Sequence, residues 1–159
     1  MRKLLALVCI AMLMANCDLK AQTERGTLML GGSASLQATE DASVFLFNPN
    51  FGVLAANNFA VGLQASILSS EGYSQWALGP FARLYFGKND KGKLFGQGSV
   101  SINGGDGSDV FLGAGLTGGY AVFLNQSIAV ELSVSYFRID DSGLVIAGAG
   151  FQIHFKKQK

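Results

Sequence analysis

Every second residue from Val145 through Ala147, Ala149, Phe151 and Ile153 to Phe155 is apolar, while the positions between them include Gly148, Gly150, Gln152 and the only histidine, His154. A period of two places successive side chains on opposite faces of a strand. The same period predicts strands near Thr27–Gln37, Ser43–Leu54, Phe59–Ser69, Trp76–Phe86, Leu94–Asn103, Val110–Val122, Ile128–Tyr136 and Leu144–Phe155. The connections "ATEDA", "AANN", "SSEGYSQ", "GKNDKGK", "GGDGS", "LNQS" and "RIDDSG" all carry turn residues. No charge falls between Asp41 and Glu71 or between Asp109 and Glu131, so hydropathy alone would favour helices. The first stretch contains "NPNFG" and "AANN" and the second "GAGLTGGY", which interrupt helices and suit strands with turns.

Each predicted strand sorts into two faces. One carries residues such as Leu28, Phe47, Leu63, Leu78, Leu116 and Val134, with no charge inside the strand limits given above. The other is mostly glycine, serine, alanine and amide, with Arg83 and Glu131 as its mid-strand charges. A soluble sheet turns its oily face to a core and sets charge regularly on the other. A face so poor in charge suits the lumen of an eight-stranded barrel, which is just wide enough for side chains to fill. The fold class expected is therefore all-β: an eight-stranded antiparallel transmembrane up-and-down β-barrel, its oily face toward outer-membrane lipid. A charge on that face costs about 2 to 4 kcal/mol at the bilayer midplane.

The N-terminus changes the domain picture. Arg2 and Lys3 precede an apolar run from Leu4 to Ala15, followed by a short exit at "LKA". This order predicts a secretory signal peptide over 1–21 and a barrel domain over 22–159. Cleavage after Ala21 removes Cys9 and Cys17, so no disulfide holds the product. An alternative is acylation at Cys17 in "LMANC". Cleavage also removes Arg2, Lys3 and Lys20 against Asp18, which takes the formal charge from +1 to −1. A chain without a basic surface is not expected to bind nucleic acid.

Export from the inner side sends the first, third, fifth and seventh connections outward. Glu40, Asp41, Glu71, Asp106, Asp109, Asp140 and Asp141 then gather at the outer end, and Lys88, Lys91, Lys93, Lys156, Lys157 and Lys159 at inner turns or the tail. Phe45, Tyr73, Trp76 and Tyr136 fall near the outer rim, with Phe59, Phe86, Tyr120 and Phe155 near the inner one, a distribution that suits aromatic girdles.

Candidate chemistry is sparse. By parity Arg83, Gln97, Gln64 and Glu131 point inward, and the pattern predicts a structural lumen cluster in which Glu131 pairs Arg83. Inward Phe81, Tyr85, Phe95 and Phe137 argue against an open channel. His154 has no evident catalytic or metal partner, so neither an enzyme nor a cofactor is expected. Glycine-rich stretches here lack the strand, turn and helix context of a phosphate cradle.

The stretches "FLFNPNFGVLAANNFAVGLQAS", "GPFARLYF", "KLFGQGSVS" and "FLNQSIAVELSVSY", with the Phe155 ending, resemble the small outer-membrane barrels of the OmpX and OmpA-transmembrane type, a porin-like group also called outer membrane protein beta-barrel domain. The resemblance spans the mature chain. It implies outer-membrane location and insertion by the outer-membrane assembly machinery, which would read the last strand at Phe151, Ile153 and Phe155; four residues follow Phe155. The expectation is a monomer with a structural, adhesion or envelope-integrity role and a filled lumen. A minor porin for small solutes and a soluble periplasmic barrel binding a lipid or small ligand are the alternatives.

Overall fold

A computed structural model of the chain describes residues 23–38, 43–70, 73–87, 89, 91–105, 108–139 and 142–156. The expected signal peptide, Cys9, Cys17 and most of the expected outer-loop acids lie outside the described residues, as do Lys88, Lys157 and Lys159. Eight strands follow in order: β1 Leu28–Ala38, β2 Ser43–Ala56, β3 Phe59–Ser70, β4 Tyr73–Phe86, β5 Gly92–Gly105, β6 Ser108–Phe123, β7 Ile128–Ile139 and β8 Ser142–Phe155. Each pairs antiparallel with its neighbour, and β1 pairs with β8 to close a barrel. The closing seam runs from Leu28 opposite Phe155 to Ala34 opposite Ala149. Below, the inner end means the end that holds Leu28 and Phe155.

Apart from β1, which is shifted by one residue, the strands are longer than the hydrophobic pattern predicts. β4 begins at Tyr73 rather than Trp76, β5 spans Gly92–Gly105, and β7 continues past Tyr136 to Ile139. An antiparallel ladder continues until a turn breaks it, whatever the polarity of its side chains. One correction follows: with β7 extended, Arg138 lies on the outward face, which is therefore not free of strand charge. Its place beside the outer end keeps it where such a charge costs about 0 to 1 kcal/mol.

The two faces are otherwise as the period predicts. Leu63, Leu78, Leu116, Leu132, Val145 and Phe151 are exposed on the outside, whereas Leu54, Phe81, Tyr85, Phe95, Phe123 and His154 are buried inside. Phe45, Trp76 and Tyr136 are exposed toward the outer end and Phe59, Phe86, Tyr120 and Phe155 toward the inner end. The β2–β3 hairpin turns on Asn57 and Asn58, with Asn58 in the left-handed region at φ 62°, which asparagine tolerates better than most residues.

The interior admits its aromatic rings because glycine faces them from neighbouring strands. A Cβ on Gly62 would lie 2.2 Å from the Phe51 carbonyl oxygen and 2.8 Å from a Phe81 ring carbon, one on Gly119 2.4 Å from the Leu132 carbonyl oxygen and 2.6 Å from the Phe95 ring, and one on Gly115 2.9 Å from the Phe137 ring. Gly98 faces outward instead, and a Cβ there meets nothing nearer than Leu116 at 3.9 Å. Gly62→Ala is therefore expected to lower stability by about 1 to 3 kcal/mol through overpacking. Gly98→Ala should leave stability unchanged or raise it by up to about 1 kcal/mol. Urea unfolding of the two variants in lipid vesicles checks the contrast, and equal losses would contradict the packing account.

Candidate functional site

The interior divides into three levels, each set by which inward residues the strands bring to one height. At mid-height Arg83 on β4 reaches across the lumen. Its Nη1 donates to Glu131 Oε1 at 2.7 Å and Oε2 at 3.0 Å on β7, and its Nε donates to Gln97 Oε1 at 2.8 Å. Gln97 lies opposite Arg83 in the β4–β5 ladder and donates in turn to Gln64 Oε1 at 2.6 Å on β3. The structure thus brings the four residues of the expected cluster into one hydrogen-bonded chain. Arg83 and Glu131 are both buried. Such an ion pair needs its remaining polar atoms satisfied to offset desolvation.

Two members of this level are not evident from charge alone. Tyr85, the next inward residue below Arg83, accepts from Nη1 at 3.2 Å. The guanidinium also lies 4.4 Å from the centroid of the Phe95 ring, within cation–π range. That ring can stand there because Gly119 is its opposite residue on β6. The strand period places Tyr85 next to Arg83 on the inward face of β4, whereas the approach of Phe95 from β5 depends on the stagger between strands, which the period does not encode.

Toward the outer end the lumen mixes amides and hydroxyls with apolar side chains such as Leu46, Phe137 and Ile146 and is nearly filled. Cavities of about 60 and 40 Å³ remain, lined among others by Asn48, Gln64, Ser101, Asn103, Thr117 and Ser133. Each has room for one or two waters.

Toward the inner end the filling is apolar. Met29, Leu54, Ala60, Tyr85, Phe95, Ala121, Phe123 and Ala129 form a buried cluster. His154 is wholly buried beside it, its ring 5.5 Å from Phe123 and 6.3 Å from Tyr85 between centroids. Neither imidazole nitrogen has a hydrogen-bond partner among the described residues. His154 therefore sits among the Phe123 and Tyr85 rings. Among the described residues no group of three or more His, Cys, Asp or Glu is placed to hold a metal ion.

Beneath this cluster the segment Thr23–Thr27 lies against the inner mouth. Gly26 N donates to Leu54 O, Leu54 N to Thr27 O, and Asn58 N to Thr23 O. Asn58 Oδ1 accepts from Thr23 Oγ1 at 2.7 Å and from Lys93 Nζ at 2.8 Å. Lys93, expected at an inner turn, lies instead within β5 at its inner end and is buried, because β5 begins at Gly92 and its parity sends that side chain inward. Of the residues expected to act in assembly, Phe151, Ile153 and Phe155 alternate along the outward side of β8, with Phe151 and Phe155 exposed.

This architecture defines a class: a small closed antiparallel β-barrel with a polar and aromatic interior and an apolar exterior. Among solved structures it is similar to the N-terminal β-barrel domain of Pseudomonas aeruginosa OprF, at a TM-score of 0.69 and 12% identity over 84% of this chain and 100% of that one. Neisserial surface protein A aligns at a TM-score of 0.64 and 14% identity, covering 81% of this chain and 96% of that one. The outer membrane protein OprG from Pseudomonas aeruginosa aligns at 0.63 and 13% identity, covering 88% and 100%. At these identities the likeness is one of fold. No protein-family model matches the sequence, and no curated protein matches it.

Removing one partner of the buried pair leaves the other charge uncompensated. Glu131→Ala is expected to lose about 3 to 5 kcal/mol, while Arg83→Met with Glu131→Leu, which removes both charges, should recover most of that loss. Denaturant midpoints of the two variants decide it, and an unchanged midpoint for Glu131→Ala would remove the pair from the account of stability.

Proposed function

We propose that residues 22–159 form an outer-membrane barrel, exported behind a signal peptide over 1–21, that serves the cell envelope in a structural or adhesive role and not as an open pore or an enzyme. The observation that carries this reading is the inner closure: Tyr85, Phe95, Phe123 and His154 pack together below the Arg83–Glu131 pair, and Thr23–Thr27 lies under them. A hydrated ion crossing the barrel would have to displace both levels. Support for the lipid-facing orientation comes from the exterior, where Leu112 is 78% exposed and Leu116 66%, a placement that water disfavours. The polar cluster inside supports the same reading over a soluble barrel with an oily ligand cavity. The fold likeness to OprF, neisserial surface protein A and OprG agrees with an outer-membrane site.

Assembly through the outer-membrane machinery, with Phe151, Ile153 and Phe155 as the residues recognised, belongs to the same proposal, as does a monomeric barrel surrounded by lipid. Its support is their alternation on the outward face of the last strand. Fractionation should recover the protein with outer membranes, and its band in mild detergent should shift on boiling. In planar bilayers the inserted barrel should give no steady conductance steps. A soluble protein without that shift would overturn the membrane reading, whereas steady steps from a heat-modifiable barrel would overturn the closed lumen alone.

A further inference from the structure

The outer wall has a concave course. Phe51 pairs with Leu63, Leu63 with Pro80, Ala82 with Gly98, Gly98 with Leu116, and Ala114 with Arg138, so these positions form one band across the ladders from β2 to β7. Along its middle the outward residues Pro80, Ala82, Gly98 and Ala114 are small, and bulkier Leu63, Val100 and Leu116 flank them. The result is an apolar trough of about 1140 Å³. Because barrel strands tilt by roughly 35 to 45°, a course perpendicular to them climbs the wall. It starts on β2 in the inner half, at Phe51, and finishes on β7 beside the outer end, at Tyr136 and Arg138.

Arg138 is the single charged side chain on the outward face of the described strand residues. An aliphatic trough ending in a guanidinium has the polarity of one kind of molecule: a chain of methylenes joined to an anion. We propose that the trough binds one acyl chain of an anionic phospholipid, with Arg138 holding the phosphate and Tyr136 at the boundary between chain and headgroup. This rests on the lipid-facing reading above. A guanidinium offers planar paired donors that match phosphate geometry, which a lysine does not. Arg138 also interacts within the chain, and five N–H donors let it serve both partners. Tyrosine, an apolar ring with a polar tip, fits that boundary.

The glycine in the trough floor makes the proposal separable from folding. The space above Gly98 is open, so Gly98→Leu should fill the trough while the barrel closes normally and Arg138 stays in place. The test is native mass spectrometry of the purified protein in non-ionic detergent with equal amounts of phosphatidylglycerol and phosphatidylcholine. The wild type should retain one phosphatidylglycerol in preference to phosphatidylcholine by about fivefold, the size of effect a partly exposed charge contact gives. Arg138→Gln should reduce that preference to about one, and Gly98→Leu should lose the retained lipid of either kind, both variants keeping the heat-modifiable band. Equal retention of the two lipids by the wild type, an undiminished preference in Arg138→Gln, or undiminished retention in Gly98→Leu would each overturn the site. A dimer peak in place of a lipid-bound monomer would assign the trough to a second copy and overturn it too. If the protein shows no heat-modifiable band, the membrane reading itself fails; a band without lipid preference sinks only this site.

Discussion

Width is the constraint on which the interior depends. Eight strands enclose a lumen that side chains alone can fill, so a bulky residue at one height requires a neighbour that gives way. Phe81 has Gly62 beside it, Phe95 has Gly119, and Phe137 has Gly115. Glycine in a strand weakens it for want of packing. Here the loss is offset because the space goes to a ring on the next strand. The Phe95 ring, once admitted, supports the guanidinium of Arg83, and Arg83 draws in Glu131, Gln97 and Gln64. The ion pair is thus a consequence of where glycine leaves room as much as of charge attraction.

Much of this was legible in the residues. An alternation sustained over eight segments fixes strand number and the two faces, and so predicts that Arg83, Glu131, Gln97 and Gln64 share one interior. Three features were not legible, each for its own reason. Arg138 moved onto the outward face because β7 outlasts its hydrophobic run. Lys93 turned inward because β5 starts two residues earlier than its first leucine. Phe95 met Arg83, and His154 met Phe123, through stagger and curvature, which set height in the lumen and leave no trace in the alternation.

The two ends of the lumen are filled on different principles. The outer half mixes amides and hydroxyls with Leu46, Phe137 and Ile146 around small cavities, while the inner half packs rings and methyl groups over a strapped segment. A polar filling can exchange water and adjust; an aromatic one is close-packed and yields little. Resistance to passage is therefore greatest at the inner end, where the filling leaves least room to adjust.

The segment under the inner mouth bears on topology as well as closure. Glu24 forms an ion pair with Lys156, so the two ends of the described chain meet beside the seam between β1 and β8. Around the ring every seam is an antiparallel ladder, and this one, besides lacking a covalent link, is the shortest among the described residues, running only from Leu28 opposite Phe155 to Ala34 opposite Ala149. The barrel is in effect a cycle cut at one of its eight joints. A permuted gene that bridged this cut with a short linker and opened an outer hairpin instead would encode the same set of ladders, with its new termini displayed on the opposite side of the wall.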